Sequence, residues 1–188
     1  MLNESRHLPL HVLFVCTGNI CRSPTAERLA IAYASRVGVQ KFEASSAGIR
    51  AVIAHSIHEQ SALVLSQLGV DASNFAARQL TPRIASAADL ILTMTTRHRE
   101  SVLELNPRLM HRTYTLGEAS SLASAFCPST VRELAELRPM MPLHQCADVP
   151  DPIGQSPDVF AAVARQISDL LPPVLDLCQR SSAVNSSE

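Results

Sequence analysis

The segment from Leu10 to Val15 (Leu-His-Val-Leu-Phe-Val) is apolar and β-branched apart from one histidine, and it stops abruptly at Cys16-Thr17-Gly18-Asn19. A short run of this kind, closed by turn residues, reads as a buried central strand entering a tight loop. Beyond Pro24, the residues Ala26, Leu29, Ala30, Tyr33 and Val37 recur at helical spacing, and a proline is tolerated in a helix's first turn. The opening unit is therefore strand, tight loop, helix.

The same alternation continues along the chain. A strand is predicted at about 41–46, followed by a helix with Ile57, Val64, Leu65 and Leu68 on one face, stopped by Gly69. Asp89 to Met94 reads as another buried strand, Arg97 to Leu105 as a helix and Thr113 to Leu116 as a short strand. Strands alternating with helices predict an α/β fold with a parallel sheet, and such sheets carry their sites at the carboxyl ends of the strands. From Gly117 to Pro150 the pattern loosens. Thr130 with Glu133 predicts a capping box opening a short helix that closes near Pro139, so a helical excursion is expected at about 118–147. Phe160, Val163, Ile167, Leu170 and Leu171 mark a last amphipathic helix, which Pro172-Pro173 should end or kink. The prediction is a single domain over 1–180, with a polar, disordered tail at 181–188.

Composition narrows the function classes. Sixteen Lys and Arg against seventeen Asp and Glu leave no broad basic field, so no nucleic-acid partner is expected and any anion must be held locally. No stretch approaches the roughly 20 apolar residues of a membrane span, and the N-terminal residues lack a signal-peptide layout, so a cytoplasmic protein with no membrane partner is expected. Five cysteines suit free thiols, one of them reactive, better than a disulfide framework.

The chemistry concentrates in Cys16-Thr17-Gly18-Asn19-Ile20-Cys21-Arg22-Ser23. A loop this short, ending at a helix start, can aim several backbone N–H groups at one centre, where the helix dipole adds positive potential. Gly18 can take positive φ freely, Asn19 tolerates it, and Arg22 offers a planar fork for two phosphate oxygens. A thiol of pKa about 8.5 placed in such a field falls to roughly 3.5–7.5, which makes Cys16 a candidate nucleophile toward phosphorus. Ser23 is placed to donate to its sulfur, while Arg22 and the loop amides take up transition-state charge. The departing oxygen then needs a proton and the resulting thiophosphate an activated water, and one carboxyl can do both. Asp151, held between Pro150 and Pro152, is the best candidate.

Plainer readings stand beside these. Cys16 could be an inert buried thiol, and Asp151 a turn residue. Metal ligation by Cys16 and Cys21 lacks further ligands at suitable spacing, and Arg22 would oppose a cation; no metal or cofactor is expected. Cys127, Cys146 and Cys178 read as ordinary thiols, His98 and His111 as polar faces, and Arg97-His98-Arg99 as a solvated helix surface. Ile49, Val52 and Ile53 fit either internal packing or the rim of a pocket.

Val15-Cys16-Thr17-Gly18-Asn19-Ile20-Cys21-Arg22-Ser23-Pro24 resembles the signature loop of the low-molecular-weight protein tyrosine phosphatases. Ser45-Ser46-Ala47-Gly48, Ala77-Arg78-Gln79, Asp89-Leu90-Ile91-Leu92-Thr93-Met94 and Val149-Pro150-Asp151-Pro152 match further family segments in order, so the likeness covers roughly Leu10 to Leu171. The resemblance implies a three-layer α/β/α fold with a four-stranded parallel sheet and the phosphate loop after the first strand. It also implies metal-free phosphate monoester hydrolysis through a cysteinyl-phosphate. Carried over by position, Cys16 is the nucleophile, Arg22 the phosphate clamp and Asp151 the general acid and later base. Thr17, Gly18, Asn19, Ile20, Cys21 and Arg22 bind the substrate's phosphate. Asn19 holds the loop through Ser46, and Ser23 tunes the thiolate. Cys21 is the loop cysteine that in the family forms a reversible disulfide with the nucleophile.

The sequence departs from the family at several points. Ile153 and Gly154 stand where one or two aromatics usually follow the Asp-Pro pair, Phe75 stands where some members have a histidine, and Thr95-Thr96 replaces an acidic residue. The expected partner is a tyrosine-phosphorylated protein. Resemblance to the bacterial, exopolysaccharide-associated branch points to a bacterial tyrosine kinase of polysaccharide export. A monomer or weak dimer is expected. Ile20 favours phosphotyrosine over phosphoarginine, since phosphoarginine-directed members tend to carry threonine there. Arsenate reduction, protein-arginine phosphatase activity and non-catalytic phosphotyrosine binding remain the alternatives.

Overall fold

The computed structural model describes residues 9–39, 41–141 and 146–185. Four strands, β1 (Leu10–Cys16), β2 (Phe42–Gly48), β3 (Leu90–Thr93) and β4 (Thr113–Thr115), form one sheet in the order β2-β1-β3-β4, with every neighbouring pair parallel. Parallel neighbours need crossover connections, and helices supply them. The crossovers are α1 (Arg22–Val37), α2 (Glu59–Gln67), α3 (Pro82–Ser86) and α4 (Thr96–Leu105), while α5 (Leu116–Phe126), α6 (Glu133–Leu137) and α7 (Pro157–Asn185) follow the last strand.

Alternation along the strands feeds two cores. Val12, Phe14, Leu90 and Leu92 face one side, where Ala26, Leu29 and Ala30 of α1, Leu122 of α5 and Val163, Ile167 and Leu171 of α7 meet them. Leu13, Val15 and Ile91 face the other, against Ala85 of α3 and Val102 of α4. The result is the three-layer α/β/α arrangement, with β1 and β3 buried on both faces, which is why those two segments are mostly apolar rather than alternating.

The excursion is mostly helical. The capping box lies at Thr115 and Glu118, opening α5, rather than at Thr130 and Glu133. Thr130 does reach Glu133, by a bond between side chains (3.0 Å), but α6 begins at Glu133 itself with Arg132 as its N-cap. Residues 142–145 of the excursion lie outside the described residues.

Pro172 and Pro173 neither end nor break the last helix, which runs from Pro157 to Asn185. The two missing N–H groups release the carbonyls of Ser168 and Asp169, and both residues are exposed, so water can satisfy them. Part of the tail predicted to be disordered is therefore helix. Ser181 is buried and its hydroxyl accepts from Val131 N, while 186–188 lie outside the described residues. Ser181, Ser182 and Val184 share one cleft with Pro9 and Leu10, at the amino end of β1.

Candidate active site

The carboxyl end of β1 delivers Cys16 into the loop, and α1 begins at Arg22. The loop's carbonyls are taken up by the chain that follows β2. Ile49 N donates to Cys16 O (3.0 Å), Arg50 N to Thr17 O (3.0 Å), Val52 N to Gly18 O (2.9 Å) and His58 N to Ile20 O (2.7 Å). With these carbonyls held outward, the peptide units turn their N–H sides toward the loop's centre, the geometry of an anion nest at a helix start. The left-handed turn falls on Asn19 (φ 55°), not on Gly18, which does not adopt positive φ.

Asn19 is fully buried and its side chain is fixed on both sides. Its Nδ2 donates to Ser23 Oγ (2.9 Å) and Ser46 Oγ (2.8 Å), and its Oδ1 accepts from Arg78 N (2.9 Å). Ser23 Oγ in turn lies 2.9 Å from Cys16 Sγ. Ser46 donates to Glu27 (2.6 Å), and burial pushes the Glu27 carboxyl upward against the opposing pull of that hydroxyl. Glu27 and Arg78 thus belong to the loop's support, which a linear reading could not assign because both act across elements. Gly48, at the end of β2, is required by contact, since a Cβ there would stand 2.5 Å from Thr17 O and 3.0 Å from Asn19 N.

Burial pushes the Cys21 thiol up to about 11, with the Ser61 side chain opposing, so Cys21 stays protonated near neutrality. Cys16 and Cys21 are both buried free thiols.

Arg22 is 5% exposed and spans toward Asp151: Nη2 pairs with Asp151 Oδ2 and Nη1 donates to Val149 O (3.4 Å). Its Nε is buried with no partner among the described residues. The Asp151 segment is pinned above the sheet by Val149 N to Met94 O (2.8 Å) and by Asp148, which accepts from Thr96 N (2.9 Å) at the start of α4. The chain from 148 to 151 therefore meets Arg22 at the neighbouring carboxyl ends of β1 and β3, bringing together residues distant in sequence.

His98 corrects the sequence reading. It is not a polar surface residue but is 4% exposed, with Nε2 2.9 Å from Thr17 Oγ1 and Nδ1 2.9 Å from Thr95 Oγ1. Of the three rim candidates, Ile49 packs against the second core, while Val52 and Ile53 are exposed, with Val52 beside Gly18. Ile153 is exposed on the Asp151 side of the site. Among the described residues, no three His, Cys, Asp or Glu side chains converge as a metal site, and no helix is long and apolar enough to cross a membrane.

Residues 11–183 match the family model described as Low molecular weight phosphotyrosine protein phosphatase. The chain belongs to that family. Among curated relatives of this phosphatase, the low molecular weight protein-tyrosine-phosphatase Wzb of Escherichia coli K12 is 31% identical over 153 residues, 81% of this chain and 84% of Wzb. The crystal structure of the Erwinia amylovora tyrosine phosphatase AmsI superposes with a TM-score of 0.69 at 28% identity, covering 89% of this chain and 91% of AmsI. The YwlE arginine phosphatase of Geobacillus stearothermophilus superposes with a TM-score of 0.71 at 26% identity, over 89% and 91% of the two chains. The phosphatase is thus a hydrolase of the protein-tyrosine-phosphatase class, of the type found in bacterial relatives.

Proposed function

We propose that Cys16, Arg22 and Asp151 carry out phosphotyrosine hydrolysis in two steps. The observation that carries this assignment is Arg22, a buried guanidinium whose Nε–H has no partner among the described residues and whose Nη2 already holds the candidate acid. A phosphate seated in the loop would accept from Nε–H and from the amides of Thr17, Gly18, Asn19, Ile20 and Cys21, and would compete with Asp151 for the fork. Cys16 Sγ then attacks phosphorus. The S–P bond forms, the P–O bond to the tyrosine ring breaks, and Asp151 passes its proton to the departing phenolic oxygen. In the second step the Asp151 carboxylate takes a proton from water, whose oxygen displaces sulfur and releases inorganic phosphate. Ser23 donates to the Cys16 sulfur, and Asn19 with Ser46 keeps the loop in shape.

The partner is a tyrosine-phosphorylated protein, and the family resemblance supports a bacterial tyrosine kinase of polysaccharide export, met in the cytoplasm by a monomer or weak dimer. Cys21 serves as a redox partner. Oxidation of Cys16 by a peroxide, which is reduced to water or an alcohol, gives a sulfenic acid, and attack of Cys21 on its sulfur with loss of water would close a disulfide that thiols reopen.

The test is phosphate release from phosphotyrosine, phosphoserine and phosphoarginine peptides without added metal, by wild type, Cys16→Ser and Asp151→Asn. Phosphotyrosine-selective turnover, abolished by Cys16→Ser and reduced by about 100-fold or more in Asp151→Asn, is expected. Preferential turnover of phosphoarginine would overturn the substrate assignment, and absence of turnover by folded, reduced wild type would overturn the catalytic one. For the redox role, peroxide inactivation should reverse with dithiothreitol in wild type and not in Cys21→Ser.

A further inference from the structure

We propose that His98 is a positioning residue of the catalytic loop, its imidazole tying Thr17, the residue after the nucleophile, to the first turn of α4. The proposal rests on the phosphatase reading of that loop.

Both ring nitrogens are engaged, Nε2 with Thr17 Oγ1 and Nδ1 with Thr95 Oγ1, each at 2.9 Å. Thr95 is itself the N-cap of α4, its hydroxyl accepting from His98 N (3.2 Å). The far end of the bridge is therefore anchored to a helix whose Val102 lies in the second core. The remaining ties on this part of the loop come from the opposite direction, through Arg50 N on Thr17 O and Val52 N on Gly18 O. Thr17 is thus held from two sides, its carbonyl from the chain after β2 and its side chain from α4. Losing one side would let the peptide units beside the nucleophile rotate, and with them the donors that must meet phosphate oxygens.

The charged groups facing His98 come from each neighbouring element: Arg22 from α1, Arg97 from α4, and Asp148 and Asp151 from the segment above the sheet. Burial, with Arg22 adding to it, lowers the imidazole to about 4, so a neutral ring offers one donor and one acceptor to the two hydroxyls. A neutral bridge adds no second cation beside Arg22, which leaves the guanidinium's charge to the phosphate.

The test is calorimetric binding of inorganic phosphate, alongside phosphotyrosine turnover, in His98→Ala, Thr17→Val, the double variant and His98→Gln. Phosphate affinity is expected to fall by about tenfold in His98→Ala and in Thr17→Val, and no further in the double variant, because both remove the same bond. Glutamine can reach Thr17 with an amide and should recover most of the loss. Unchanged phosphate affinity in Thr17→Val, multiplied losses in the double variant, or a His98→Gln as weak as His98→Ala would each overturn the proposal. If His98→Ala fails to fold, Thr17→Val and His98→Gln still decide it. The phosphate affinities keep the two readings apart, since a wild type that binds phosphate without hydrolysing phosphotyrosine refutes the catalytic assignment and not this one.

Discussion

Gly48 shows how tightly single atoms constrain the loop. An alanine Cβ would press on Thr17 O and Asn19 N, both backbone atoms, so the loop itself must yield. Overpacking of this kind costs about 1–3 kcal/mol, and a displacement near 1 Å in a catalytic loop costs roughly 100-fold in rate. Gly48→Ala is expected to lower both the thermal midpoint and kcat/KM, and a variant with unchanged kcat/KM would show that the loop has slack. His98 gives a pH dependence at the same scale. Its imidazole goes from the ordinary 6.5 to about 4 on folding, so between those values the unfolded chain binds the extra proton. The stability tied to neutral His98 is complete above about pH 6.5 and is lost as pH falls toward about 4. The melting temperature of wild type should drop more steeply between about pH 7 and 5 than that of His98→Gln; parallel slopes would assign the acid sensitivity to other groups. Residue by residue, the loop was legible because Cys16 to Ser23 lie side by side in the chain and their chemistry is local. His98 was not, because its charged neighbours Arg97 and Arg99 make it look like a solvated face, and only the packing of α4 reveals that it points inward.

Among the elements, α5 depends on a buried ion cluster. Glu118 is 1% exposed, closes the capping box with Thr115, and pairs with Arg99 (3.0 Å) and Arg138 (2.6 Å). Arg138 also lies over the Tyr114 ring and donates to Thr113 O, so one carboxylate ties α4, β4, α5 and the turn after α6 together. Removing one partner of a buried ion pair costs about 3–5 kcal/mol, more than the ~1 kcal/mol of an N-cap alone. In urea denaturation, Glu118→Ala should therefore lose clearly more stability than Thr115→Ala, and equal losses would reduce the cluster to its capping role. Apolar runs located β1 and β3, which are buried on both faces, and helical spacing located α1, which buries one. That spacing gave only a loose helical excursion around α5 and α6, where the buried Leu116, Ala119, Leu122 and Ala123 are interspersed with small and polar residues and Glu118 is buried with its arginines. The double proline does not end α7, since its two lost hydrogen bonds fall on the solvent side of the helix.

For the molecule as a whole, strand alternation implied a parallel sheet and the family resemblance its four strands, but the order β2-β1-β3-β4 depends on long-range pairing that no local pattern encodes, and neither reading supplied it. That order sets the carboxyl ends of β1 and β3 side by side, which is how Cys16 and the chain carrying Asp151 come to share one site. The end of α7 lies at the opposite, amino end of the strands, where Ser181 is buried near Val131. Ending the chain after Arg180 should lower the thermal midpoint by a few degrees, because Ser181 is the buried residue among those described at 181–184, and leave kcat/KM for a phosphotyrosine peptide unchanged. A fall in kcat/KM would show that this end communicates with the loop. The cleft shared by Pro9, Leu10, Ser181, Ser182 and Val184 has a practical meaning as well. Both described ends of the chain meet there, about 20 Å from Cys16 along the length of β1. Cargo fused to either end, or a bead gripping it, would hang from the base of the molecule and leave its mouth open to a target as bulky as another folded protein.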